Sequence, residues 1–435
     1  MSKLERYDSY KDSGVEWLGE IPSEWEVKKL KFLTKDILGG GTPSSSTTEY
    51  WTDNINNSYL WVSIADITKS EFIKNTKKYI TNSGLRNCSA KIVPPYSILY
   101  SIYASLGKVA YSDKILTTNQ AILSIIFKDK YYYKFMFYYL KTLTQVAIHL
   151  SNSTTQDNIS LDILKNLTCS IPPLQEQQKI ASFLDTKTEQ LDKAITQKEQ
   201  LIELLKERRQ ILINDAVTKG IDKTVTMKDS GVEWIGNIPK HWEVKKVKNI
   251  FNLIINPAPN NNNEELLSIY TDIGVKPRRE LAEKGNKAST TDGYWIVRKG
   301  DFIVNKLLAW MGAIGLSNYN GVTSPAYDIL RAKIDTVGIY YHELFRLKVF
   351  SQEMKKHSRG IMDMRLRLYF DKFGDIRVPY PEKKEQQLIV NYIEENNQKI
   401  NKAIDLQEQQ IAKLKEYKTT LIDSVVTGKV RVCDD

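Results

Sequence analysis

The chain contains only three cysteines, Cys88, Cys169 and Cys433, odd in number and far apart. No disulfide framework can be drawn from them, and a reducing compartment is expected. The four histidines, His149, His241, His342 and His357, stand apart from one another and from acidic or cysteine neighbours at ligand spacing. That excludes a locally encoded metal motif or catalytic triad, and no metal or cofactor is expected on this chain. The first residues lack the apolar core of a signal peptide. Long hydrophobic runs are also missing. The most apolar stretch, residues 131–150, is broken by Lys134, Lys141, Gln145 and His149, short of the roughly 20 apolar residues that a membrane span needs. It reads as a buried amphipathic helix of a cytoplasmic protein that makes no membrane contact.

Two apparent motifs fail on chemistry. Gly14 and Gly19 have the spacing that opens a phosphate-binding loop, but Glu20 stands where a lysine must neutralise phosphate, and Asn237 stands there in a second copy. The run Asn256-Pro257-Ala258-Pro259 resembles the Asn-Pro-Pro-aromatic tetrad of amino-methyltransferases, yet it lacks the aromatic that would stack on a base. It reads as a turn.

What the chain does have is a repeat. KDSGVEWLGEIPSEWEVKKLK at 11–31 returns as KDSGVEWIGNIPKHWEVKKVK at 228–248, identical at 16 of 21 positions. Glu176-Gln177-Gln178 likewise returns as Glu385-Gln386-Gln387. Each opens a long helical pattern, with Pro172-Pro173 before the first and Pro379 and Pro381 before the second. Apolar residues recur at heptad spacing in both: Leu184, Leu191, Leu205 and Leu212 with Ile195 and Ile202, then Ile393, Ile400, Leu414 and Leu421 with Ile404 and Ile411. Both stripes are interrupted at matching places, by Lys198 and Gln407. Matching registers predict that these helices face each other as a coil about 60 Å long. Between the constant segments lie two dissimilar bodies, and both contain short apolar strands, as at 97–102 and 301–305.

The expected fold class is therefore α+β: two globular α/β bodies separated by two long antiparallel coiled-coil helices, with an internal pseudo-twofold repeat. The expected segments are a constant head 1–33, a first body 34–172, a long helix 173–220, a repeated head 221–250, a second body 251–378 and a second long helix 379–435. The tryptophans of the heads, Trp17, Trp25, Trp234 and Trp242, are expected to pack structurally, with subunit docking as the function of those blocks.

Lys and Arg number 62 against 52 Asp and Glu, a formal charge of +10. Such a balance favours an acidic partner. Phosphate contacts need lysine and arginine, whereas base reading needs side chains that make paired hydrogen bonds. In the first body the candidates are the polar loop 42–48, with Thr42, Ser44 and Ser45, and the run 151–158, with Thr154, Gln156 and Asn158. In the second body they are Lys355, Arg359, Arg365 and Arg367, together with the cluster Lys276, Arg278 and Arg279. Counting back from the shared proline sets 151–158 opposite 358–365. Trp310, in a strand–turn setting, reads as a core residue.

The duplicated head, the Pro-Pro-Leu-x-Glu-Gln-Gln entry to a long helix and two divergent bodies together resemble the DNA-specificity subunit of type I restriction-modification systems. The bodies add Gly40-Gly41-Thr42-Pro43-Ser44 followed by Tyr50-Trp51 and Trp61-Val62-Ser63, then Thr118-Asn119-Gln120-Ala121, and in the second body Lys299-Gly300-Asp301, Gly312-Ala313-Ile314-Gly315 and Thr323-Ser324-Pro325-Ala326-Tyr327 to the resemblance. It implies a subunit with no catalytic centre of its own, in which each body is a target recognition domain reading half of a bipartite asymmetric site on double-stranded DNA. It also implies two methyltransferase subunits docked on the chain, restriction and translocase subunits in the full complex, and S-adenosylmethionine, ATP and Mg on those partners. A reading of another class is a coiled-coil scaffold that bridges proteins without touching DNA.

Overall fold

The computed structural model describes residues 4–103, 105–152, 158–271, 273–280, 291–360 and 366–432. They form two compact units, one of residues 1–198 and 409–435 and one of residues 199–408. The fold is α+β, with an internal repeat in which each unit holds a head, a body and parts of both long helices.

In the first unit the body is built on an antiparallel sheet with the order Val109–Tyr111, Ile98–Ser101, Ile122–Phe127, Thr34–Gly39. Its central strands are buried on both faces, which explains runs of apolar residues without polar alternation. Ile98 and Tyr100 pack with Phe135, Met136 and Tyr139 of the helix Tyr133–Asn152. Leu99, pointing the other way, joins Leu60, Val62, Val93 and Leu116, as a period of two requires. A second sheet, Leu116–Thr118, Ser58–Val62, Tyr79–Thr81, Trp51–Thr52, covers that face.

The second unit repeats the inner sheet in the same order: Ile314–Leu316, Phe302–Asn305, Tyr327–Ala332, Phe251–Ile254. Phe302 and Val304 enter one core and Ile303 the other, matching Ile98, Tyr100 and Leu99. Asp301 anchors the strand entrance, accepting from Arg331 Nε and Nη2, both at 2.7 Å. The bodies diverge in the outer layer. Here it consists of two separate pairs, Leu267–Tyr270 with Gly274–Pro277 and Trp295–Val297 with Gly321–Thr323.

The long helices are Leu174–Lys219 and Lys383–Val426. Within the first unit Asp192 pairs with Lys418 at 2.7 Å, and Lys198 donates to Gln410. Within the second, Arg209 donates to Asn401. In the first unit, moving along one helix means moving back along the other, which is antiparallel pairing. Lys198, the expected break in the seam, is thus satisfied by a polar partner. Leu184, Ile195, Ile202, Ile393, Ile400, Ile404, Ile411 and Leu421 are buried, whereas Leu191, Leu205, Leu212 and Leu414 are half-buried. Ile213, absent from the expected stripe, is buried in the second core.

One contact fastens body to helix in both units. The buried Gln177 amide accepts from the Tyr132 N–H at 2.8 Å and donates to the Pro172 carbonyl at 2.9 Å. Buried Gln386 accepts from the Val337 N–H at 2.8 Å and donates to the Pro381 carbonyl at 2.9 Å, and it also accepts from the Thr336 hydroxyl at 2.7 Å. Gly220 and Gly428 end the helices with φ of +78° and +79°, a left-handed cap that glycine adopts at low cost.

Among the described residues no helix is long and apolar enough to cross a membrane. The helix Tyr133–Asn152 instead buries Phe135, Tyr139, Leu140 and Leu143 in the first core.

Candidate nucleic-acid interface

In the first body the polar loop 42–48 is carried by two glycines that tolerate no side chain. A Cβ on Gly40 would lie 2.0 Å from the Asn119 carbonyl, and one on Gly41 would lie 2.3 Å from the Ala90 nitrogen. The Gly41 N–H donates to the Thr118 carbonyl at 2.8 Å, and its carbonyl accepts from Trp61 Nε1 at 2.9 Å. From this anchor Thr42 reaches the side chain of Gln120, while the Ser44 carbonyl accepts from Trp51 Nε1 at 3.0 Å. Thr42, Ser44, Ser45 and Gln120 are exposed. Trp51 and Trp61 meet edge to face at 5.0 Å, and Lys78 lies over Trp51 at 5.2 Å. Donors, acceptors, rings and a cation therefore share one surface. Sequence reasoning does not single out Trp51, Trp61, Lys78 or Gln120 as site residues. Their signal is the alternation of aromatic and polar residues beside a double glycine.

The second polar run begins where the helix Tyr133–Asn152 ends. Thr154 and Gln156 lie outside the described residues, as does Arg365 of the second body. Asn158 is described and half-buried. Directly after it, the Ile159 N–H donates to the Ile102 carbonyl at 3.2 Å. In the second body the Leu368 N–H makes the equivalent bond to the Lys306 carbonyl at 2.8 Å.

These two bonds correct the expected alignment of the loops. The strand Thr168–Ile171 pairs with Glu26–Lys29 as Arg377–Tyr380 pairs with Glu243–Lys246. Gln177 caps Pro172 as Gln386 caps Pro381. The proline equivalent to Pro172 is thus Pro381, not Pro379. The register moves by two residues, and Asn158 stands opposite Arg367.

Arg359 and Arg367 are brought together by an isolated antiparallel bridge, each N–H donating to the other's carbonyl at 2.9 Å. Side chains of such a pair project to one face, where like charges oppose each other. Both residues are exposed or nearly so, and Asp371 lies 3.3 Å from Arg359. Lys355 sits over the Trp310 ring at 4.9 Å. Trp310 lies in a 3-10 turn, Ala309–Met311, rather than a strand turn, and packs partly buried against the second core.

Lys276, Arg278 and Arg279 lie on another part of this body, on the strand Gly274–Pro277 and the turn after it. Carboxylates accompany them: Glu280 is 4.0 Å from Lys276 and Glu265 is 3.2 Å from Arg279. This cluster is a mixed-charge surface, with a carboxylate beside Lys276 and another beside Arg279, as Asp371 stands beside Arg359.

The heads serve the frame. Trp25 and Trp242 are buried; Trp17 and Trp234 are half-buried. In the first unit Glu176 accepts from Tyr7 at 2.6 Å and from Trp25 Nε1 at 3.1 Å. Burial, reinforced by this carboxylate, pushes the Tyr7 phenol far above its usual range. In the second unit Glu385 instead faces His241 Nε2 at 2.8 Å. Elsewhere in the second body, burial lowers His342 to about 4, and its Nδ1 accepts from the Leu316 N–H at 3.1 Å. Among the described residues no group of three or more His, Cys, Asp and Glu side chains is arranged to hold a metal ion.

A family model for the type I restriction modification DNA specificity domain matches residues 22–206. The chain is 30% identical over 250 residues to the type I restriction enzyme MjaIX specificity subunit of Methanocaldococcus jannaschii, covering 54% of this chain and 53% of that protein. It thus spans about half the length of that relative. Similarity to the type I restriction enzyme MjaVIII specificity subunit of the same organism extends further, at 22% identity over 457 residues, covering 95% and 94%. In fold the chain resembles a solved chain of a type I R-M system, with a TM-score of 0.67 at 15% identity, over 93% of this chain and 98% of that one.

Proposed function

We propose, for a chain whose residues 22–206 match a family model for the type I restriction modification DNA specificity domain, that it is the non-catalytic, sequence-specific DNA-binding subunit of a type I restriction-modification complex. The body at 34–172 reads one half of a bipartite target and the body at 251–378 reads the other. The long helices set the interval between the halves. The repeated heads, with the adjoining helix ends, dock two methyltransferase subunits, and restriction and translocase subunits join the full complex. S-adenosylmethionine, ATP and Mg reside on those partners.

A single observation carries this reading: one backbone frame holds different reading chemistry at equivalent places. Asn158 directly precedes the residue that bonds the Ile102 carbonyl, and Arg367 directly precedes the one that bonds the Lys306 carbonyl. An asparagine amide pairs with adenine N6 and N7; a guanidinium pairs with guanine O6 and N7. Two related readers with unlike tips call for two unlike half-sites and a target that is not a palindrome.

Titration of the chain against DNA at several salt concentrations tests the reading. Phosphate neutralisation gives a steep fall of log affinity with log salt. A flat response would favour the alternative of a coiled-coil scaffold that bridges proteins. Incubated alone with DNA, magnesium, ATP and S-adenosylmethionine, the chain is expected neither to cut nor to methylate. Mapping methylated positions in cells with and without it would give both half-sites and their spacing.

A further inference from the structure

Each body follows its doubly buried central strand with a turn that directs large apolar side chains outward. In the first body the strand Ile98–Ser101 runs on to Tyr103, which is 46% exposed. In the second, Phe302–Asn305 runs on to Leu307, Leu308 and Met311, exposed by 40%, 42% and 52%. Tyr103 and Leu307 are equivalent positions, because each follows the residue whose carbonyl receives the returning loop, Ile102 in one case and Lys306 in the other. Single exposed apolar residues are ordinary on protein surfaces, but three exposed within five residues of one turn carry a cost in free energy.

The surroundings say what covers this turn. The bond from Leu368 to Lys306 sets Arg367 beside Leu307, Arg359 is bridged to Arg367, and Lys355 lies over Trp310 in the same turn as Met311. The rim sets Arg359, Arg367 and Lys355 against Asp371, 3.3 Å from Arg359, so it stays cationic in balance and fits a polyanion that can offer apolar faces between its charges. Stacked bases between phosphates have that chemistry. A second protein surface would have to supply several carboxylates around an apolar pocket.

We infer that these turns are wedges that press against the bases of the duplex, Tyr103 at one half-site and Leu307 with Met311 at the other, locally unstacking a base step so that the adjoining loop reaches its base edges. The inference rests on the DNA-reading function proposed above. Apolar side chains that part a base step are a known means of deforming DNA, and the wider surface that the bent duplex lays on the protein offsets the stacking given up. The wedge adds specificity at a step that no hydrogen bond touches, because steps differ in how easily they unstack.

The test uses the full chain assembled with its methyltransferase subunits and a duplex carrying the methylation-mapped target, with 2-aminopurine placed in turn at each position of both halves. Beyond the mapped methylated base, which the methyltransferase subunits would themselves extrude, the unsubstituted complex is expected to brighten the probe at one further step per half. Leu307→Ala with Met311→Ala should abolish this further brightening in one half and weaken binding about tenfold, or roughly 1.4 kcal/mol, with the slope against salt unchanged. Tyr103→Ala should do the same in the other half, and Tyr103→Phe should preserve the signal because it retains the ring. Melting midpoints are expected to hold, since the altered positions face solvent. Substituted complexes that bind and brighten as before would overturn the wedge while leaving DNA reading intact. Loss of binding in Tyr103→Phe as well as Tyr103→Ala would also count against it. A complex that shows no target preference or salt dependence before any substitution would instead overturn the DNA-reading function.

Discussion

Arg359 and Arg367 hold each other through two reciprocal main-chain bonds of 2.9 Å, so the backbone sets two guanidinium groups on one face. Like charges placed directly opposite destabilise a pair by a few tenths of a kcal/mol to about 1 kcal/mol, and an anionic partner relieves that cost. Arg367→Gln is therefore expected to leave the melting midpoint unchanged or slightly higher. It should also reduce discrimination at one base of one half-site by about 1–3 kcal/mol. Methylation mapping of the variant checks the second outcome, and equal loss at both halves would argue against independent reading.

The mixed-charge cluster makes a separable prediction. Replacing Lys276, Arg278 and Arg279 with alanine should weaken binding to all sequences alike and lower the salt slope by up to about 0.9 for each phosphate no longer neutralised. An unchanged slope would assign these residues to the ion pairs with Glu280 and Glu265 alone.

Gln177 satisfies two main-chain groups at once. Gln177→Ala strands the Tyr132 N–H and the Pro172 carbonyl, at roughly 1–3 kcal/mol for each unpaired buried group. Chemical denaturation should show a loss of about 2–6 kcal/mol in the transition of the first unit. Gln177→Glu, which keeps the acceptor and loses the donor, should fall between the two.

His342 carries a pH dependence of predictable sign. Burial holds it at about 4 in the folded chain, against about 6.5 when unfolded. The unfolded state therefore takes up the proton first. The contribution of neutral His342 is fully present above about pH 6.5 and declines as pH falls towards 4. Protonation would also cost the bond that its Nδ1 accepts from Leu316. Comparing the native chain with His342→Asn between pH 7 and 4 should show the gap in stability closing as pH falls. Glu343, which burial shifts upward, acts in the opposite sense but is common to both chains.

Exchanging residues 34–170 for the corresponding body of another such protein should change one half of the target and leave the other intact. Sequencing-based methylation maps read this directly. A shift in both halves would mean that the bodies do not read separately.

The frame is the legible part of the sequence because its signals are periodic and duplicated. Heptad leucines and isoleucines, the prolines ahead of each long helix and the glycines after it mark both helices in the sequence itself. The inner strands are equally plain, since burial on both faces leaves unbroken apolar runs such as Ile98 to Tyr100. Depth within the seam is less so: Leu205 and Leu212 are half-buried while Ile213 is buried, because the helix end packs against a head as well as against its antiparallel partner. Loop alignment fails for a definite reason. Both Pro379 and Pro381 could match Pro172 by residue type; the spacing to the repeated Glu-Gln-Gln already favours Pro381, and the strand pairing with the bonds of Gln386 and Leu368 fixes it. The cluster of Trp51, Trp61 and Lys78 is hard to read as a site, since tryptophans within strands usually signal core.

The two buried glutamines have a consequence for heredity. Gln177 and Gln386 grip their bodies almost wholly through peptide groups, Thr336 supplying the one side-chain contact. A joint that recognises main chain is indifferent to which side chains the body carries. Mutation can remake a body, or recombination between the repeated blocks can replace it, without renegotiating how it is attached. Under the proposed function, one genetic event would then change what one body reads while the other half continued to work.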